Sequence, residues 1–133
     1  MENGFRLKII TPDREFYDGE VSMVEFNTHE GEVGIYKGHI PMCMVIAPGI
    51  LTITEDTESK NAALHAGFVE VLPDSVTILA EIVEWPAEID TERAQSALDR
   101  ARNRIKELPE GTDVARAELA LRRAITRLGA CGR

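Results

Sequence analysis

The sequence predicts a mainly β protein with an α-helical end: an antiparallel β-sandwich or barrel followed by an antiparallel two-helix hairpin. Three observations predict it. Up to about residue 81 the chain is written in short apolar runs cut by turn residues, with no helical period between them. After Trp85-Pro86 the apolar residues recur at spacings of three and four instead. Charge divides at the same place. Residues 1–84 carry five bases against fifteen acids, a balance of −10, whereas residues 85–133 carry ten bases against eight acids, a balance of +2. The overall −8 of this 133-residue chain therefore averages two different objects.

The first strand is read from Phe5, Leu7 and Ile9 alternating with Arg6 and Lys8, a period of two that puts one face inward, and Thr11-Pro12-Asp13 ends it. Further strands are expected at 21–26, 42–47, 50–54, 68–71 and 76–79. Turns are expected between them at 18–19, 31–34, 48–49, 55–60 and 73–75, where Gly, Pro, Asp and Ser collect. Pro86 interrupts regular structure, and Asp90 then precedes a stretch free of Gly and Pro until Pro109. It reads as an N-cap, flanked by Ile89 and Ala94 at hydrophobic-staple positions.

Ala94, Ala97, Leu98, Ala101, Ile105 and Leu108 form the apolar face of the first helix, which stops at Leu108-Pro109-Glu110-Gly111. A second helix starts near Thr112 or Asp113. Val114, Ala117, Leu121, Ala124, Ile125 and Leu128 line its apolar face, and Gly129 is expected to end it. So short a connection forces the helices antiparallel. Alanine-rich faces bury little area, at roughly 25 cal/mol per Å², so the hairpin is expected to be the mobile half.

Nine of the ten bases after residue 84 are arginines: Arg93, Arg100, Arg102, Arg104, Arg116, Arg122, Arg123, Arg127 and Arg133 beside one Lys106. Arg93, Arg100 and Arg104 stand at offsets 0, 7 and 11, and Arg116, Arg123 and Arg127 repeat those offsets. At about 100° per residue, such positions return to within about 20° of one line. Each helix thus carries one arginine stripe, and the pseudo-two-fold symmetry of a hairpin brings both stripes out on the same side. Guanidinium groups suit nucleotide phosphates or the acidic surface of a partner. RNA is disfavoured because the hairpin lacks aromatic rings for base stacking. Glu92, Asp99, Glu107 and Glu118, with water, offer the alternative of a merely solvated face.

Catalytic signatures are missing from the sequence. It has no G-x-x-x-x-G-K-[ST], G-x-S-x-G or H-E-x-x-H string. His29, His39 and His65 are scattered and read as loop or strand-end residues, and Cys43 sits in an apolar run as packing material. Cys43 and Cys131 lack metal-ligand spacing and fit a reducing compartment. No apolar run approaches the roughly 20 residues that span a bilayer, and the acidic start is not a signal peptide. A soluble, non-enzymatic chain is expected, with membrane association only through partners.

The strings Gly31-Glu32-Val33-Gly34-Ile35-Tyr36-Lys37-Gly38-His39-Ile40-Pro41, Pro48-Gly49 and His65-Ala66-Gly67-Phe68-Val69-Glu70-Val71 resemble the epsilon subunit of bacterial and plastid F-type ATP synthases. Ile89-Asp90-Thr91-Glu92-Arg93-Ala94 is similar to that family's I/L-D-x-x-R-A motif, and the stretch 116–124 to its second-helix signature. Tyr36-Lys37, Ile40 and Ala66 depart from the commoner pattern, all within the sandwich.

The resemblance implies a ten-stranded antiparallel β-sandwich (1–86) that binds the gamma subunit and the c-ring, and a regulatory helical hairpin (87–133). It implies a non-catalytic central-stalk subunit that couples proton flow to ATP synthesis, requires no cofactor and binds no nucleic acid. The hairpin would inhibit ATP hydrolysis when extended toward the alpha/beta head and permit turnover when folded. ATP is the implied regulatory ligand of the folded state, with Glu84, Asp90, Arg93, Arg100, Arg123 and Arg127 as its binding residues. The implied location is peripheral, on the cytoplasmic face of a bacterial plasma membrane or on the plastid thylakoid. A stand-alone sandwich adaptor, using the basic hairpin to bind acidic proteins or RNA, is the alternative.

Overall fold

The computed structural model describes residues 3–132, so Met1, Glu2 and Arg133 of the arginine set lie outside the described residues. Eight strands come first: β1 (Phe5–Ile10), β2 (Glu15–Val21), β3 (Met23–Thr28), β4 (Gly31–Ile35), β5 (Met42–Ile46), β6 (Gly49–Glu55), β7 (Glu58–Leu72) and β8 (Ser75–Glu84). A single 3-10 turn (Pro86–Glu88) leads into α1 (Thr91–Glu107) and α2 (Val114–Ala130).

The resemblance implied ten strands, and pairing explains the difference. The first half of β7 pairs with β6 and its second half with β5, while the end of β8 pairs with the former and the rest of β8 with the latter. Each of these two long strands therefore serves both layers. One layer runs β4-β3-β6-β7-β8 and the other β2-β1-β8-β7-β5. The pairing is antiparallel except that β1 runs parallel to β8.

The bend falls at the register shifts around Ala66. Gly67 there has φ +146°, and a Cβ at that position would collide with the Leu79 carbonyl oxygen, so only glycine fits. Between the layers Leu7, Ile9, Val24, Phe26, Leu51, Ile53, Leu64, Val71 and Ile78 form one core.

Several expected turns proved to be strand. Asp18-Gly19 lies inside β2, where tertiary pairing with Lys8 and Leu7 overrides local turn preference and Arg6 clasps Asp18 at 2.7 Å. Gly31 to Gly34 belong to β4, the partner of β3. The turn expected over 55–60 shrinks to Asp56-Thr57, with Asp56 left-handed at φ +56°. Ser22 divides the strand expected at 21–26, because its N–H and hydroxyl both donate to the Thr54 carbonyl.

The helices begin where the sequence put them. Asp90 Oδ1 accepts from the Arg93 N–H at 3.1 Å and Asp113 Oδ1 from the Arg116 N–H at 3.1 Å, giving the two helices the same cap. Leu108 ends α1 in the left-handed region at φ 45°. Gly129 does not end α2, which runs one residue further to Ala130. The hairpin core is Ala94, Leu98, Ala124 and Leu128, flanked by Ala97 and Leu121. Leu108, Val114 and Ile125, expected on the apolar faces, are exposed, whereas Thr126 is buried.

The cause is the way α2 sits. It packs on β6 and β7 as well as on α1, so its buried face is wider than a hairpin alone requires. Its seat is legible in β7, where Ala62, Ala63, Leu64 and His65 are buried in succession. Ala62 and Leu64 belong to the sandwich core, while Ala63 and His65 point the other way, beneath α2.

Candidate functional site

A cleft of about 450 Å³ opens where the sandwich, the junction and both helices meet. Glu84 enters it from the end of β8, and Asp90 from the cap of α1. Arg93 and Arg100 follow on α1, and Arg127 reaches in from α2; Glu88, Ile89, Ala94 and Ala97 complete the wall. Five of the six residues named from sequence thus share one cavity. Arg123, the sixth, lies one turn before Arg127 and is not part of the wall. It is half-buried, and its Nε is buried without a hydrogen-bond partner among the described residues. Arg104 and Arg116, also in the stripes, are exposed and outside the cleft.

The acids of the cleft are already engaged. Asp90 caps α1 through Oδ1. Glu88 Oε1 accepts from Arg14 at 2.8 Å and from the Trp85 N–H at 2.9 Å. Glu84 Oε1 accepts from His65 Nε2 at 3.0 Å and from Arg127 Nε at 2.7 Å. These donors hold the Glu84 carboxyl at about 2; the His65 hydrogen bond is the largest cause, and Arg127 overcomes with it the opposing effect of burial.

Arg93 and Arg100 have no carboxylate within salt-bridge distance among the described residues, and Arg127 spends only Nε on Glu84. Its terminal N–H groups stay available, as do both full guanidinium forks on α1. Asp99 was a candidate to neutralise the stripe, but it accepts from Gln95 instead. The arrangement offers unpaired cationic donors over a small apolar shelf of Ile89, Ala94 and Ala97, with carboxylate oxygens at the rim. Unpaired guanidinium donors beside carboxylate acceptors match the hydrogen-bonding needs of a polyanion carrying hydroxyl or amino donors. Among the described residues no cluster of His, Cys, Asp or Glu is arranged to hold a metal.

Sequence reasoning missed His65, Glu88 and Arg14. His65 was expected at a loop or strand end, but it lies inside β7 with 1% exposure. A strand interior that places a histidine two residues before a glycine was the available signal; the missing fact was that α2 roofs this position. Trp85 stacks on Phe16 with centroids 4.2 Å apart, and the guanidinium of Arg14 lies over Phe16, so the junction is pinned up to Glu88.

On the other layer, Val45, Phe68 and Leu79 are cross-strand neighbours in register, and they are 50%, 60% and 53% exposed. They form a continuous outward apolar row, a feature of protein-binding faces.

The family model for the ATP synthase delta/epsilon chain β-sandwich domain matches residues 4–86, and that for the delta/epsilon chain long α-helix domain matches residues 87–132. The chain is 45% identical over 128 residues to the ATP synthase epsilon chain of Halalkalibacterium halodurans, covering 96% of both chains. It is 43% identical over 129 residues to that of Caldanaerobacter subterraneus, covering 96% of this chain and 94% of the other. A chain of the Euglena gracilis mitochondrial ATP synthase shares the fold, with a TM-score of 0.84 at 24% identity over 98% of this chain and 82% of that one. With a sandwich, a helical pair and both of the family's domain models matched in order along nearly the whole length, the chain belongs to the ATP synthase delta/epsilon family, among its epsilon chains.

Proposed function

We propose that this chain is a non-catalytic subunit of the rotating central stalk of a proton-translocating ATP synthase, and that its hairpin regulates ATP hydrolysis in response to ATP. The sandwich, residues 1–86, is the anchoring module. It binds the gamma subunit and the c-ring, and the apolar row of Val45, Phe68 and Leu79 supports such docking. The hairpin, residues 87–133, is the movable arm, which inhibits when extended along gamma toward the alpha/beta head. No described helix is long and apolar enough to cross a membrane. In this reading the subunit attaches to the membrane complex through its partners, on the cytoplasmic face.

The observation that carries the ATP reading is the shared cleft. Arg93, Arg100 and Arg127 converge on it from two helices, with Glu84 and Asp90 at its rim. Phosphates would lie on the free guanidinium forks, Arg123 adding charge from one turn away. The base or ribose would rest on Ile89, Ala94 and Ala97 and donate to a free carboxylate oxygen of Asp90 or Glu84. A ligand held by both helices and by the end of β8 stabilises the folded arm only in so far as it binds that state better than the extended one.

Isothermal titration of the full chain with ATP, with and without magnesium, tests this. Saturable one-site binding is expected, together with reduced amide exchange over 91–130 when ATP is present. Heat no different from buffer dilution would remove the ATP reading and leave the anchoring role. Co-purification with the assembled synthase tests the anchoring role separately; a chain that never enters the complex would point back to a free-standing adaptor.

A further inference from the structure

His65 is the least expected polar residue of the chain. It lies in the bend of β7, 1% exposed, beneath α2. Its Nδ1 is buried without a hydrogen-bond partner among the described residues, while Nε2 lies 3.0 Å from Glu84 Oε1. A carboxylate accepts and does not donate, so Nε2 carries the proton. The same Oε1 accepts from Arg127 Nε at 2.7 Å. One oxygen at the end of β8 is therefore held from β7 and from α2 at once. Ala63, paired with Glu84, and Ile50, paired with Ala63, continue the same face under α2.

We propose that His65 is a positioning residue for the hairpin latch: its Nε2–H fixes the Glu84 carboxylate so that Glu84 holds Arg127, keeping α2 seated and the Arg127 fork turned into the cleft. The Glu84–Arg127 tie alone joins two flexible side chains, and ordering them costs entropy. A buried imidazole supplies the order. It has few rotamers and is enclosed beneath α2 with 1% exposure, so its Nε2–H is held in place against the carboxylate oxygen that also accepts from Arg127. His65 touches no ligand in this role; it acts through Glu84. For its nucleotide arm the inference rests on the reading of the cleft as an ATP site, whereas the latch itself stands without ATP.

A double-mutant cycle on the full chain, read by amide hydrogen exchange over α2 without nucleotide, tests it. His65→Phe is expected to raise exchange over α2 roughly tenfold or more, the scale of one hydrogen bond to a charged group. In a Glu84→Gln background the same substitution is expected to change little, and His65→Gln, which keeps a donor, should restore part of the protection. Equal loosening by His65→Phe in both backgrounds would make the residue mere packing and overturn the proposal.

If the phenylalanine variant does not fold, ¹⁵N NMR of the wild-type imidazole decides. An Nε2–H tautomer with a slowly exchanging proton supports the proposal, and an Nδ1–H tautomer or a freely exchanging ring overturns it. ATP titrations of the same variants should show affinity falling in parallel with protection. If wild type takes no ATP at all, the cleft reading falls while the cycle still decides the role of His65.

Discussion

Glu84 makes the electrostatic logic of the site measurable. Its carboxyl is held at about 2, against an ordinary 4.5, first by the His65 hydrogen bond and then by Arg127. A carboxyl depressed in the folded state stabilises that state above its ordinary value, and the stabilisation is lost as pH falls through the folded one. Hairpin docking should therefore weaken between about pH 4.5 and pH 2, read as rising α2 exchange corrected for the intrinsic rate. A Glu84→Gln variant should lack this leg of the profile. Among the described residues Arg93 has no carboxylate partner, so on the ATP reading its removal falls on the ligand. Arg93→Ala should weaken ATP binding by roughly ten- to a hundredfold, the scale of one or two charge-assisted hydrogen bonds, with little change in melting temperature.

At the scale of elements, both helices start with an aspartate accepting from the N–H three residues on, but the caps differ in surroundings. Asp113 lies away from the cleft, so Asp113→Ala should cost about 1 kcal/mol of hairpin stability and leave ATP affinity nearly intact. Asp90 caps α1 and also lines the cleft. Asp90→Asn keeps a capping oxygen while removing the charge, so it should spare the melting temperature and alter ATP affinity, as calorimetry and titration on one sample would show.

The end of α2 that faces β6 carries a glycine with room for a larger residue. A Cβ on Gly129 would stand 3.4 Å from Ile50 Cδ1. Gly129→Ala is tolerated there and adds up to about 1 kcal/mol of helix propensity. Differential scanning calorimetry of Gly129→Ala should therefore show a raised melting temperature.

As a whole molecule the protein has two cores that share no residue. The sandwich closes on itself, and the hairpin closes on Ala94, Leu98, Ala124 and Leu128. Four such residues, two of them alanines, bury little area, while the sandwich core has nineteen, dominated by Leu, Ile, Val and Phe. Removing residues 88–133 should leave a sandwich that still melts cooperatively, followed by circular dichroism. In the assembled synthase the truncation should raise ATP hydrolysis without loss of assembly. The same imbalance makes the hairpin the first part to open, and global exchange should find 91–130 less protected than β1, β7 and β8.

The sequence by itself determined the order of modules, the two helix starts and the arginine stripes. These depend on local rules: a carboxylate beside free amides, a period of 3.6, a proline that cannot continue a strand. It also named Glu84, Asp90, Arg93, Arg100, Arg123 and Arg127 as a set: stripe geometry, which follows from the helix alone, supplies the four arginines, and the family resemblance selects them and adds the two carboxylates. Only the tertiary structure decided the rest. Asp18-Gly19 and the glycines of β4 became strand because partners across the sheet satisfied them. Ile125 became exposed and Thr126 buried because α2 rests on β6 and β7 as well as on α1. His65 became part of the site because a strand bend and a helix from the other end of the chain enclose it. Each of these outcomes is set by neighbours distant in sequence, and burial between such neighbours is the one property that no local pattern records.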